Sequence, residues 1–243
     1  MFSLRYSRES ALAMIGTAGL EKLLKSCITF IGVGATGSAA ADLFARNGAG
    51  EIRVSDPDTV DISNLHRQSL YSEGDTGINK AEAAEKRINQ INGKIRVKAY
   101  GLYVDSSNIE EVASGSSLII DGTDNMKSRN PINSYSARSG IPWIFTSASG
   151  STGQVKIIVP GKTACLDCLG IDYGIQDIRC EDVGVLASAP YMVGSIAWTL
   201  GIRYLLGHQI EDAVYNIDVP AMEIMKVRTS RNKACKTCGG SGI

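Results

Sequence analysis

The stretch Ile28-Thr29-Phe30-Ile31-Gly32-Val33-Gly34-Ala35-Thr36-Gly37-Ser38, with Ser55-Asp56-Pro57-Asp58 downstream of it, decides how this chain folds. Ile28 to Val33 is a short apolar run of the kind shown by a strand buried on both faces. Gly32, Gly34 and Gly37 then follow in Gly-x-Gly-x-x-Gly spacing. The first glycine allows a tight turn, the second lets a phosphate approach the backbone, and the third lets the next helix pack closely on the sheet. A helix from about Thr36 to Arg46 would present its first amides to an anion. Ile52 to Ser55 reads as a second strand, and Asp56 at its end stands where a dinucleotide fold grips a ribose hydroxyl. The expected class is α/β, a Rossmann-like nucleotide-binding sheet.

The 243 residues carry 25 basic and 25 acidic side chains, a formal net charge of zero. That leaves no broad basic footprint for nucleic acid or for an anionic membrane. Six cysteines in a chain of this length are too few for a disulfide scaffold. With two Cys-x-x-Cys pairs among them, a reducing, cytoplasmic setting and a bound metal are expected. The first residues, Met1-Phe2-Ser3-Leu4-Arg5-Tyr6-Ser7-Arg8, lack the apolar core and small-residue cleavage site of a secretory signal. Val183 to Ile202 contains no charged residue and approaches bilayer-spanning length. Pro190 and its internal glycines and serines make it read as a buried helix.

Outward from the glycine turn, Ser7 to Lys25 suits one or two amphipathic helices broken near Gly16 or Gly19. Ile62 to Gln68 is a polar loop at the carboxyl end of a strand, where an open α/β sheet keeps its chemistry. Asn79, or the Thr76-Gly77 pair before it, opens a helix with Ala81, Ala84, Ile88 and Ile91 on its buried stripe. Lys80 lies in the first turn of that helix, where the dipole disfavours a cation, so it reaches away or neutralises something negative. Further strands are expected over Ile95–Ala99, Leu118–Asp121, a segment from near Pro142 through Phe145, and a more exposed Gly153–Val159. Asn108–Ala113 and Met126–Arg138 read as helices, the second capped by Thr123 or Asp124. A long helix over Ala187–Leu206 precedes two antiparallel strands, Ala213–Ile217 and Met222–Val227. The expected organisation is a core over residues 1–160 and a smaller part over 161–243, packed as one unit, with mixed strands at the sheet edge.

Cys165-Leu166-Asp167-Cys168 and Cys235-Lys236-Thr237-Cys238 are two thiolate knuckles, and two such pairs close a tetrahedral shell around zinc. Four soft ligands leave no open position, so the site is structural; a redox pair and free buried thiols are the competing readings. Cys27 reads as a small buried hydrophobe. Cys180, in a polar setting beside Arg179, is a nucleophile or a passive packing residue on the residues alone.

Taken together, the glycine turn, Asp56-Pro57-Asp58, Asn64-Leu65-His66-Arg67-Gln68, Lys80, Thr123-Asp124-Asn125, Arg129-Asn130, the cysteine pairs and Cys180-Glu181-Asp182-Val183-Gly184 resemble one family. It is the family of ubiquitin-activating-type adenylylating enzymes, which includes the bacterial activators of the molybdopterin-synthase and thiamine sulfur carriers. The resemblance implies ATP, Mg2+ and Zn2+ as cofactors. It places Gly32, Gly34, Gly37, Asp58, Gln68 and Asn125 along the nucleotide, and Asp56 at the ribose. It makes Asn64, Arg67 and Lys80 the triphosphate clamp, assigns Asp124 to magnesium, and makes Arg8 an arginine that crosses from the partner subunit of a homodimer. Cys180 matches a nucleophilic or sulfur-transfer cysteine, and Cys165, Cys168, Cys235 and Cys238 match zinc ligands. The implied partners are a small ubiquitin-like sulfur carrier ending in Gly-Gly and a persulfide-donating sulfurtransferase, with neither membrane nor nucleic acid. Two departures stand out: Ala35-Thr36 precede Gly37 where the family commonly has another glycine, and Ala187-Ser188-Ala189-Pro190 replaces a run around a Gly-Pro pair.

The residue types fit that chemistry. A carboxylate attacking the α-phosphate of ATP needs cations to take up the charge gathering on pyrophosphate. Rival readings are an NAD-dependent oxidoreductase, an adenylylating dehydratase or peptide activator of the same fold, and a non-catalytic scaffold.

Overall fold

The computed structural model describes residues 4–170 and 184–239. Eight strands form one sheet in the order β3-β2-β1-β4-β5-β6-β7-β8. Cys27–Ile31 (β1), Glu51–Ser55 (β2), Arg96–Tyr100 (β3), Leu118–Asp121 (β4) and Trp143–Ser149 (β5) run parallel. Thr152–Ile158 (β6), Ala213–Asp218 (β7) and Glu223–Arg228 (β8) continue the sheet as antiparallel neighbours. β1 lies between β2 and β4, so the strand order reverses at the turn that carries the glycines. That is where open α/β sheets bind ligands.

Two short helices open the described chain, Ser7–Ser10 (α1) and Gly16–Leu24 (α2), broken just before Gly16 as the sequence suggests. Ala35–Asn47 (α3), Lys80–Ile91 (α4), Ile109–Ala113 (α5), Met126–Ser139 (α6) and Ser188–Leu205 (α7) follow. Helices cover both faces of the parallel part, which is why β1, Thr29 apart, and β4 up to Asp121 read as apolar runs and not as alternating ones. Phe30, Phe44, Ile52, Ile144 and Ala197 belong to one core, Ile31, Ile119, Trp143, Phe145 and Ile132 to a second, and Tyr6, Ile15 and Leu20 to a small third.

Helix α7, whose one charged residue is Arg203 in the last turn, owes its composition to close packing on α3 and β4. A Cβ on Gly194 would meet Ala39 Cβ at 2.7 Å, and one on Gly201 would meet Leu118 Cδ2 at 2.9 Å. No helix among the described residues is long and apolar enough to cross a membrane.

Two expectations need correction. β6 is not an exposed strand: β7 and β8 extend the sheet beyond it, and Val155, Lys156, Ile157 and Ile158 are buried. The helix α6 is capped by neither Thr123 nor Asp124. Asn125 Oδ1 accepts from Ser128 N at 3.0 Å, because Asn125 is the residue in extended conformation just ahead of the first turn.

Candidate functional site

The glycine turn is an interlock of three backbones. Gly32 has φ +85°, and a Cβ there would meet Gly122 C at 2.7 Å. A Cβ on Gly37 would meet Gly32 O at 2.2 Å, and one on Gly122 would meet the same oxygen at 2.2 Å. Gly122 is thus the packing partner of the motif, a role its place inside Asp121-Gly122-Thr123 gave no spacing signal for. Gly34 differs: a Cβ there would meet only Gly122 O, at 3.8 Å. Gly34 is also the N-cap of α3, which no side chain caps. The first amides of a thirteen-residue helix therefore face outward beside an open backbone position, the arrangement that receives a phosphate.

Asp56 is buried, and both its oxygens are spent on the backbone. Oδ2 accepts from Val33 N at 2.9 Å and Oδ1 from Asp58 N at 3.0 Å. Burial pushes its carboxyl up, while Lys80 and the two amides pull the other way. Asp58, two residues on, has its side chain 66% exposed and holds Lys80 Nζ at 3.0 Å. The lysine stem is buried, so the ammonium meets the dipole penalty of its helix start with a carboxylate partner.

Asn79 does more than open α4. Its Oδ1 accepts from Ala81 N at 2.9 Å, and its Nδ2 donates to Asp56 O and Asp58 O, each at 3.1 Å. One side chain thus caps the helix and ties its start to the end of β2. The buried Tyr71 makes a similar tie, its hydroxyl donating to Val33 O at 2.8 Å within 3.3 Å of Lys80 O. Tyr71 carries no motif signal.

The loop after β2 begins with a one-turn helix over Ile62–Asn64, capped by Asp61 and closed by Asn64 Oδ1 accepting from Asp61 N at 3.4 Å. Arg67 Nη1 donates to Ser63 O at 2.8 Å. Gln68 is buried, and its Oε1 has no hydrogen-bond partner. Across the crest, Asp124 is exposed and accepts from Asn125 Nδ2 at 3.1 Å. Its loop is held from below: Arg129 Nε donates to the fully buried Asp121 Oδ2 at 3.0 Å, and Arg129 Nη2 donates to Thr123 O at 2.7 Å and Thr146 O at 2.9 Å. The Arg129 guanidinium also lies 4.8 Å from the centre of the Phe145 ring.

Hydrogen bonds thus join Gly32 to Gly37, Asp56, Asp58 and Lys80 into one cluster, with Asp124 two residues from the Gly122 that abuts it. Asn64, Arg67 and Gln68 sit on the neighbouring loop. Arg8 is exposed on α1, and among the described residues no hydrogen bond or ion pair brings it to the crest within the chain. Cys180 lies outside the described residues.

Beside the crest, an open cleft of about 480 Å³ is lined by Ser147, Ser149, Gln154, Asn216, Asp218 and Met225. Its β5 wall starts next to Thr146, whose Oγ1 lies 2.8 Å from Thr36 Oγ1 in the glycine turn.

The two knuckles meet. The four sulfurs of Cys165, Cys168, Cys235 and Cys238 lie within 4.8 Å of one another. Cys165 Sγ is 3.7 Å from Cys168 Sγ and 3.5 Å from Cys235 Sγ, and Cys168 Sγ is 3.3 Å from Cys238 Sγ. Tetrahedral zinc with Zn–S bonds of about 2.3 Å needs sulfurs about 3.8 Å apart, so the donor set fits that ion. Burial raises the Cys165 and Cys168 thiols. Burial also opposes ionisation of Cys235, but amide bonds from Cys238 and Thr237 and the neighbouring thiols outweigh it and bring that thiol down to about 7.

The ThiF family matches residues 6–237. The chain is 35% identical over 239 residues to the sulfur carrier protein ThiS adenylyltransferase of Bacillus subtilis, covering 97% of this chain and 71% of that protein. It is 32% identical to the SAMP-activating enzyme E1 of Haloferax volcanii, covering 98% of this chain and 90% of that one. Among solved structures, Escherichia coli MccB with ATP superposes with a TM-score of 0.84 at 24% identity, over 98% of this chain and 75% of that chain, a likeness of fold. With its glycine interlock, crest cluster and paired knuckles falling inside a match that spans nearly its whole length, this chain belongs to the ThiF family.

Proposed function

We propose that this chain transfers the adenylyl group of ATP to the C-terminal glycine carboxylate of a small ubiquitin-like sulfur carrier protein. The observation that carries the reading is the open Gly34 at an uncapped helix start, with the Lys80 ammonium held by Asp58 in the same hydrogen-bonded cluster. The names of the Bacillus and Haloferax relatives point to the same class of acceptor.

The triphosphate would lie along the first amides of α3, with Lys80 and Arg67 neutralising it and Asn64, Gln68 and Asn125 lining the nucleotide. Asp58 is the better candidate for the ribose hydroxyls, since Asp56 already spends both oxygens on amides that fix the turn. The same occupation of Asp56 weakens a hydride-transfer reading, which needs that carboxylate free for a cofactor ribose. Asp124 offers the hard oxygen that suits magnesium, which would supply charge neutralisation at the phosphates.

The carrier tail would reach the α-phosphorus through the cleft bordered by Ser147 and Asn216. Its carboxylate oxygen bonds to that phosphorus as the bond to the bridging oxygen breaks and pyrophosphate leaves. No general base is required, because a terminal carboxylate is ionised near neutral pH. The four cysteines would hold zinc as a structural centre. Arg8 from a second copy in a homodimer would add a cation at the triphosphate. Cys180 would then attack the acyl carbon and release AMP, or a sulfurtransferase persulfide would do so in its place.

The test is exchange of labelled pyrophosphate into ATP, dependent on a carrier ending in Gly-Gly. Exchange that Cys180→Ala leaves intact, and that Arg67→Ala or Asp124→Ala abolishes, is the expected result. Absence of exchange with every carrier encoded beside the gene counts against the proposal.

A further inference from the structure

Lys156 has no accessible surface at all, although it lies on a strand and carries a charge. Burying an ammonium costs several kcal/mol unless it is paired and its protons are used. Here it donates to Asp212 Oδ1 at 2.6 Å and to Thr229 Oγ1 at 2.9 Å, and the threonine hydroxyl donates in turn to Asp212 Oδ1 at 2.5 Å. Asp212 just precedes β7, and Thr229 just follows β8, so the triad ties one end of β6, β7 and β8 together. Thr229 N also donates to Asp212 O at 2.9 Å.

The second Asp212 oxygen faces elsewhere: it accepts from Ala164 N at 2.8 Å, the amide immediately before Cys165. The first thiolate knuckle is therefore fixed to the sheet through a partly buried carboxylate, whose charge is balanced by a buried lysine. Zinc held by four thiolates carries a net charge of about −2, which a low-dielectric interior makes expensive without a cation nearby. Burial pushes the Lys156 ammonium down from its ordinary value, while Asp212 and then a charge on Cys168 or Cys165 pull it back up.

We propose that Lys156, Asp212 and Thr229 form the outer support of the tetrathiolate site, making metal binding and closure of the β6-β7-β8 end one coupled unit. The triad is a positioning device: none of the three touches the metal, and each acts through the Ala164-Cys165 backbone or through charge. By linkage, whatever strengthens the metal in its site tightens the strand ends, and the reverse holds with the same factor. The proposal does not depend on which acyl acceptor the crest serves.

Two measurements test it. Hydrogen exchange of the wild-type chain, with zinc bound and after its removal, should show faster exchange on removal in peptides spanning β6 and residues 210–230. Acceleration confined to residues 165–170 and 231–239 overturns the coupling. Zinc affinity, read by competition with a chromogenic chelator, should fall about 10–100-fold in Lys156→Met and in Lys156→Met/Asp212→Leu. The double variant removes both charges and so preserves an apolar, foldable interior. If it is folded with zinc and binds it as tightly as the wild type, the outer support is not there.

Discussion

Lys80 Nζ lies 3.0 Å from Asp58 Oδ2, with the lysine buried and the aspartate mostly in solvent. An exposed carboxylate contributes little to stability through such a pair; under the proposed function the contact would instead aim the ammonium at the crest before nucleotide arrives. Lys80→Met should therefore leave the thermal midpoint nearly unchanged while lowering carrier-dependent pyrophosphate exchange by about 10²–10³-fold, as for loss of one preorganised donor at a developing charge. Asp58→Asn should raise KM for ATP more than it lowers kcat if Asp58 holds the ribose. Exchange unaffected by Lys80→Met would remove the cation from the clamp.

Gly34 and Gly37 are alike in the motif but unlike in space. Alanine at Gly37 would drive its Cβ into Gly32 O at 2.2 Å, a backbone atom that cannot yield, so Gly37→Ala should cost about 1–3 kcal/mol or more in urea unfolding. Alanine at Gly34 has room, its nearest neighbour being Gly122 O at 3.8 Å. Gly34→Ala should unfold within about 0.5 kcal/mol of the wild type and yet bind ATP at least tenfold more weakly, because its methyl occupies the phosphate approach. A Gly34→Ala protein with unaltered ATP affinity places the phosphates elsewhere.

The strand-turn-helix at the centre was legible because both sheet faces are covered, which leaves an apolar run that the glycines then punctuate. The knuckles were legible for a different reason: Cys-x-x-Cys spacing is itself a bite, and two bites make a shell. The use of each acid was not legible. Asp56 and Asp58 are two residues apart, and only geometry assigns the first to the amides of Val33 and Asp58 and the second to Lys80. The burial of β6 was hidden because the strands that cover its edge arrive far downstream. Tyr71 and Gly122 act through shape and one hydroxyl, which no local pattern records.

Arg129 and Asp121 form the buried pair beneath the Thr123-Asp124-Asn125 loop. Burial pushes the Asp121 carboxyl up, opposed by Arg129 and by the Thr123 hydroxyl and amide. Arg129→Met leaves that carboxylate without its cation and frees two carbonyls, so it should destabilise by about 3–5 kcal/mol. Arg129→Met/Asp121→Asn should recover part of that loss in urea unfolding. A single-variant cost under about 1 kcal/mol would mean that the loop is held by something other than this pair.

Glu9 gives the fold a pH dependence of unusual sign for a carboxylate. It is half-buried on α1, its Oε1 lacks a hydrogen-bond partner, and burial raises its carboxyl to about 7 from an ordinary 4.5. Because the folded value lies above the unfolded one, the folded state binds the proton more tightly. The contribution of this group is therefore fully present below the unfolded value of 4.5, declines as pH rises, and is lost above about 7. Glu9→Gln keeps the shape and cannot ionise, so its thermal midpoint should match the wild type near pH 4.5 and exceed it at pH 8. The gap should open between those values, and the partial exposure of the side chain keeps it modest. A difference between the two proteins that stays constant from pH 4.5 to pH 8 would mean that Glu9 titrates as it does in the unfolded chain.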